Sequence, residues 1–224
     1  MLNSNFFAQD ASVLAKNLLG KILRVKYSYQ KKDCWLSAII IETESYYLNE
    51  KGSHASLGYT EKRKALFMSP GTIYMYYARG GDSLNFSALG EGNAVLIKSA
   101  FPFFSGKNAA KAFTLMQKLN PPKNISIRIR PLDKLCSGQT LLCKSLGLKV
   151  VAWDAKQLDP NKFYVEDIGY KPQKIIQAVR LGIPKGRDDH LLNRFIDYKY
   201  VQHATQNPLK KRNAIAGKDY FIIK

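Results

Sequence analysis

Glu44 stands near the end of the run Ala38-Ile39-Ile40-Ile41-Glu42-Thr43-Glu44-Ser45-Tyr46. Apolar, β-branched residues of this kind read as a strand entering a core. Strand side chains alternate, so Glu42, Glu44 and Tyr46 are expected on one face. A carboxylate carried into a low-dielectric interior is costly unless it is paired, hydrogen-bonded or used. His54 follows in Gly52-Ser53-His54-Ala55-Ser56, then Tyr74 and Tyr76 at strand spacing, then Asn85. One acid, one imidazole and several aromatics predict a pocket that stacks a flat ring and activates a water. Plainer readings stand beside this one: Glu44 as a strand-end ion pair with one of the many lysines, and Tyr74 and Tyr76 as ordinary core residues.

A damaged base in duplex DNA is one such flat ring. Its target atom lies inside the stack, so an enzyme acting on it must extrude the nucleotide. Tyr46, His54 and Tyr76 could then supply stacking faces, worth roughly 1–3 kcal/mol per base. Cleavage of an N-glycosidic bond passes through an oxocarbenium-like state that nearby negative charge stabilises. A carboxylate can also take a proton from the attacking water. An alkylated purine can already carry positive charge and leave without an acid, so a single carboxylate suffices.

These residues need a frame. Asp10 to Leu19 reads as a helix capped by Asp10 or Ser12 and stopped by Gly20. Lys21 to Tyr29 and Trp35 to Tyr46 read as a hairpin around a turn at Lys31-Lys32-Asp33. Residues 47 to 71 form a long loop, carrying the basic cluster Lys62-Arg63-Lys64 as candidate phosphate contacts. Strands are expected at Thr72–Ala78, Leu84–Leu89 and Ala94–Ala100, then helices at Lys107–Leu119 and Asp133–Leu146. The tail around Lys210-Lys211-Arg212-Asn213 reads as flexible. The whole is expected to be one α+β domain over residues 1–224 with a mostly antiparallel sheet, a core of about 11–205 and a basic C-terminal tail.

The chain has 224 residues, with 35 Lys plus Arg against 17 Asp plus Glu, a formal net charge of +18. Such an excess speaks to partners rather than fold, and a polyanion, nucleic acid before membrane, is the expected partner. No apolar run is long enough to cross a membrane as a helix, and the N-terminus lacks the features of a secretory signal. A cytoplasmic protein is expected. Cys34, Cys136 and Cys143 lack metal-ligand spacing and read as buried thiols, so no metal is expected.

Taken in order, these motifs resemble the alkyladenine DNA glycosylase family, also called 3-methyladenine or methylpurine DNA glycosylases. The resemblance is carried by Ala15-Lys16-Asn17-Leu18-Leu19-Gly20-Lys21, Glu42-Thr43-Glu44-Ser45-Tyr46, Ser53-His54-Ala55-Ser56, Phe67 to Tyr76, Leu84-Asn85, Gly92 to Lys98, Leu135-Cys136-Ser137-Gly138 and Arg180-Leu181-Gly182-Ile183. It implies a compact single domain around a curved antiparallel sheet with peripheral helices, and a monofunctional glycosylase, without metal, organic cofactor or Schiff-base lysine, acting on double-stranded DNA that holds damaged purines. Nothing in the sequence demands a dimer, so a monomer is expected. By motif position Glu44 is the expected general base, and Tyr46, His54 and Tyr76 are the expected walls around the flipped base. Asn85 is the expected gatekeeper against normal guanine, a selection by exclusion. Lys98 falls where the family usually has an arginine, and the Leu181 carbonyl where a main-chain oxygen helps hold the water.

The chain also departs from the family. The hairpin tip Tyr76-Tyr77-Ala78-Arg79-Gly80-Gly81-Asp82 lacks the usual plugging tyrosine. Arg79, whose planar guanidinium can stack between bases, is the candidate plug, with Tyr77 as runner-up. Asp82 at this tip would repel phosphates. Gln139-Thr140-Leu141 lacks the usual Pro and Lys. The altered tip motivates an alternative: a catalytically impaired nucleic-acid-binding homologue of the same fold.

Overall fold

The computed structural model describes residues 1–78, 80–123 and 129–224. A short helix α1 (Ser4–Phe7) precedes α2 (Ala11–Leu18). Asp10 caps α2 by accepting hydrogen bonds from the amides of Ser12 and Val13, as the sequence predicts, and Gly20 turns the chain at φ +82°. The hairpin follows as β1 (Ile22–Tyr29) and β2 (Lys32–Tyr46). Its turn is one residue earlier than expected: Gln30 and Lys31 take φ of 49° and 60°, and Tyr29 faces Lys32. Two positive-φ residues make the tight loop whose twist suits a hairpin.

Strands β3 (Ile73–Ala78), β4 (Gly81–Ser87) and β5 (Ala94–Pro102) complete the first half. Then come α3 (Ala109–Leu119), α4 (Gln139–Leu146) and α5 (Val150–Trp153), and four short strands: β6 (Phe163–Glu166), β7 (Ile175–Ala178), β8 (Arg194–Asp197) and β9 (Tyr220–Ile223). The nine strands among the described residues join one open antiparallel sheet in the order β3-β4-β5-β2-β8-β7-β9, with β1 paired to β2 off this path and β6 paired to β1. Strand β2 is the spine: β5 lies along one edge, while β1 and then β8 share the other. The main core lies between this sheet and α2, α3 and α4, and includes Leu14, Leu18, Ile40, Phe86, Ile97, Met116 and Leu142.

Three expectations need correction. The helix expected over Asp133–Leu146 begins only at Gln139; before it lie a 3-10 turn (Leu132–Lys134) and Gly138 at φ +106°, a backbone region open mainly to glycine. The C-terminal segment is not a loose tail, because β9 pairs with β7 and Tyr220 packs on the buried cluster around Ile176 and Ile196. The core therefore runs past residue 205. At the other end it begins before residue 11, for Leu2 and Phe7 are buried in it.

One irregularity sets up the site. Pairing of β2 with β5 passes from Ile40↔Ala100 to Glu42↔Ser99, leaving Ile41 extra, and then to Thr43↔Ile97, leaving Lys98 extra on β5. Ile40 faces the main core, Ile41 packs in a separate cluster with Ile22 and Ile39, and Thr43 turns back to donate to the Ala15 carbonyl of α2. Unbroken alternation from Ile40 would have aimed Glu42 and Glu44 into the apolar core. The bulge at Ile41 shifts them to the opposite face, and the second bulge restores register.

Among the described residues no helix is long and apolar enough to cross a membrane. No group of three or more His, Cys, Asp or Glu side chains among them could hold a metal ion. Cys34, Cys136 and Cys143 are buried free thiols.

Candidate active site

On the face opposite the main core a cavity of about 920 Å³ opens, a size typical of small-molecule sites. Its floor is built by β5 and β4: Ala94, Leu96 and Lys98 from one, Asn85 from the other. Tyr46 of β2 bounds one side and Tyr76 of β3 another, with β5 and β4 between them, about three strand spacings or ~14 Å of backbone. His54 reaches in from the loop after β2. Thus Tyr46, His54, Tyr76, Asn85, Lys98 and Leu181, dispersed over 136 positions of chain, line one cavity.

Glu44 lies beneath it with no solvent exposure. The Tyr46 hydroxyl donates to its Oε2 at 2.7 Å, the Leu181 amide donates to its Oε1 at 3.0 Å, and Lys98 Nζ lies 3.3 Å from Oε1 and 3.4 Å from Oε2. All three partners line the cavity. The ion-pair reading of Glu44 and the buried-acid reading are therefore both realised. Leu181 meets Glu44 through its N–H, whereas its carbonyl was the group that the resemblance implied. Burial, and then the Glu44 charge, push the Tyr46 phenol well above its ordinary range, so Tyr46 remains a hydrogen-bond donor to the carboxylate.

His54 and Tyr76 form a touching pair, ring centroids 4.3 Å apart, and Tyr74 stacks behind Tyr76 at 5.4 Å. The Tyr74 hydroxyl sits 3.0 Å from His54 Nδ1, which fixes the imidazole plane. Burial first, then the charges of Arg63 and Arg187, lower the His54 pKa below its usual value, which keeps the ring neutral at neutral pH. Asn85 Nδ2 donates to the Tyr74 carbonyl at 3.1 Å, so its amide is held by a neighbouring strand. Tyr74, treated in the sequence as a stacking or core residue, thus positions two others.

Of the expected DNA contacts, Lys62, Arg63, Lys64 and Tyr77 are among the described residues. Lys62 is exposed, but Arg63 donates to the Leu57 carbonyl and Lys64 pairs with Glu61 at 3.2 Å. Arg63 ties down its own loop, and Lys62 is the most exposed member of the cluster. Tyr77 is 71% exposed at the cavity rim. Arg79 lies outside the described residues. Asp82 turns under the hairpin rather than toward its tip, accepting from the Val150 amide at 2.9 Å and facing Lys149 at 3.4 Å. It caps α5 instead of repelling a phosphate.

Sequence reasoning assigned no role to Arg180, although it stood in a recognised motif. Its Nη1 donates to the Ser45 carbonyl at 2.9 Å and pairs with buried Glu50. The rim also uses Gly182, Ile183, Pro184 and Arg187 of the next loop, pinned where Arg187 donates to the Lys51 carbonyl and Lys51 N–H to Asp188. Nothing local in the sequence links positions so far apart.

An open antiparallel sheet with a buried carboxylate under an aromatic-walled cavity is the arrangement to which the comparisons with known proteins apply. The family model described as Methylpurine-DNA glycosylase (MPG) matches residues 5–201. The chain is 59% identical over 222 residues to a Pseudomonas syringae pv. tomato protein named "Putative 3-methyladenine DNA glycosylase", covering 99% of this chain and 96% of that one. A Pseudomonas aeruginosa protein of the same name is 55% identical over 99% of this chain and 90% of its own. A Clostridium botulinum protein, again so named, is 32% identical over 81% and 87%. The chain belongs to the methylpurine-DNA glycosylase family.

Proposed function

We propose that the protein is a DNA repair glycosylase that flips an alkylated or deaminated purine from duplex DNA and hydrolyses its N-glycosidic bond, leaving an abasic site. The observation that carries this reading is Glu44: wholly buried, and bonded to three groups that each line a cavity of about 920 Å³, roomy enough for a purine. The flipped base stacks between Tyr46 and the His54–Tyr76 pair. Asn85 faces its edge and excludes the exocyclic amine of normal guanine. The bond from C1′ to the base breaks, the base takes the electron pair, and positive charge develops on the sugar. Glu44 stabilises that charge and takes a proton from the water whose oxygen bonds to C1′. The Lys98 contacts are the longest that Glu44 makes, at 3.3 and 3.4 Å, so Lys98 is the group that gives way when the water reaches Glu44. The chemistry needs no amine nucleophile, so the enzyme is monofunctional and requires neither metal nor organic cofactor. The substrate is double-stranded DNA and the working unit a monomer over residues 1–224.

One observation favours a second reading, a nucleic-acid-binding homologue with impaired chemistry: Glu44 does not itself line the cavity, since Tyr46, Lys98 and Leu181 close over it. Glu44→Gln separates the two. The glycosylase reading expects release of 3-methyladenine, 7-methylguanine or hypoxanthine to fall by about 10²–10⁴-fold, with duplex affinity nearly unchanged. A wild-type protein that binds DNA but frees no base from alkylated duplex would establish the second reading instead.

A further inference from the structure

Arg180 is the largest investment in buried charge next to the cavity that the proposed mechanism leaves unused. Its side chain is wholly buried, and its guanidinium carbon lies 4.5 Å from the centroid of the Tyr46 ring. Tyr46 lines the cavity and Arg180 does not, so the guanidinium covers the face of the ring turned away from the cavity. Only Nη1 is used in hydrogen bonds, to Ser45 and Glu50, while Nε and Nη2 are buried without a hydrogen-bond partner among the described residues. Buried donors left unmade are costly. An arginine held for structure alone would satisfy its fork in the plane; this one spends it on the flat of an aromatic ring.

The position has an electrostatic consequence. An aromatic face attracts a cation through its quadrupole. A cation already seated on one face draws electron density toward itself and repels a second cation arriving on the other. Glu50 answers the arginine's charge at Nη1 and also accepts from Asn193 at 2.7 Å, while the guanidinium carbon lies 4.5 Å from the Tyr46 ring centroid. The Tyr46 phenol responds accordingly: Arg180 pulls its pKa down against burial and the Glu44 charge, both of which raise it.

We propose that Arg180 is a specificity-determining residue: seated behind Tyr46, it weakens the hold of that wall on cationic damaged bases and so lets neutral ones compete for the site. The inference rests on the glycosylase reading above. A purine alkylated at N7 of guanine or N3 of adenine is cationic in DNA, whereas hypoxanthine is neutral, so these two lesion types report the effect directly.

The test compares single-turnover excision and duplex affinity for one cationic lesion, 7-methylguanine, and one neutral lesion, hypoxanthine. The paired variant E50Q/R180M removes both members of the buried ion pair, leaving no orphaned charge. It is expected to raise the cationic-to-neutral preference by roughly threefold to tenfold, the range of a partly buried cation–π contact. E50Q alone keeps the arginine and removes its counter-ion, and is expected to move the preference the other way. A merely structural role would lower both rates together and leave their ratio unchanged. An unchanged ratio in both variants, with excision intact, overturns the proposal and spares the glycosylase reading; absence of excision on either lesion by the wild type overturns that reading itself. Should the paired variant fail to fold, E50Q decides alone, by shifting the preference toward hypoxanthine or by failing to.

Discussion

A carboxylate without solvent exposure must have its charge answered locally, and Glu44 is answered by Tyr46, Lys98 and the Leu181 amide. Part of this was legible in the sequence. Glu44 and Tyr46 sit two apart on a strand, so their meeting follows from alternation. His54, Tyr76 and Asn85 declared themselves by type, and their gathering into one cavity was implied by the resemblance. Arg180 with Glu50, and Tyr74 with His54, were not legible, since those pairs lie 130 and 20 positions apart and nothing local links them. His54 carries a prediction at this scale. Its pKa is lowered on folding, so the unfolded chain takes up a proton near its ordinary value of 6.5 while the folded chain resists. The stability this ring contributes is therefore full above that value and is lost as pH falls through it. Urea unfolding between pH 7.5 and 5.5 should show the wild type losing stability, and His54→Gln should flatten that decline. An identical decline in the variant would show that another group carries it.

Elements explain where those residues point. The strands expected from the sequence are the long ones, β1 to β5, of six or more residues each, although β4 begins at Gly81, three residues before the expected Leu84. Strands β6 to β9 have four residues each, too short for a period to emerge above noise. The paired bulges of β2 and β5 were also beyond reach, because a bulge is a property of two strands and only one is read at a time. They are what turns Glu44 and Lys98 to the same side of the sheet. The helix overextended to Asp133 failed at Gly138, whose positive φ ends any helical path arriving from the N-terminal side. The tail yields the element-scale test. Deleting residues 214–224 strips β9 from β7 and uncovers the cluster holding Ile176 and Ala178. We expect a loss of about 1–3 kcal/mol in denaturant unfolding, from apolar area and edge hydrogen bonds together. Unaltered stability would return the segment to the status of a loose appendage.

For the whole molecule the question is where an excess of +18 resides. Among the described residues the interior holds Glu42, Glu44, Glu50, Asp82 and Asp197 against Lys21, Lys98, Arg180 and Arg194. Glu42 pairs with Arg194 at 2.6 Å, Glu44 with Lys98, and Glu50 with Arg180. Buried charge is thus close to balanced, and the positive excess belongs to the surface, where it acts on partners and encounter rates rather than on packing. Phosphate contacts release counterions, so each one makes affinity steeper in salt. With about five contacts, log K should fall against log salt with a slope of about −4 to −5, or roughly 250- to 1000-fold weaker duplex binding between 50 and 200 mM salt. Excision from saturated, pre-bound duplex should change far less over that range, because Glu44 and its partners lie inside the sheet, where screening reaches least. Fluorescence anisotropy on a lesion duplex, paired with single-turnover excision at saturating protein, separates the two. A flat binding curve would mean that the surface excess faces something other than the nucleic-acid backbone. A steep single-turnover rate would mean that the ion pairs under the cavity are open to solvent ions after all.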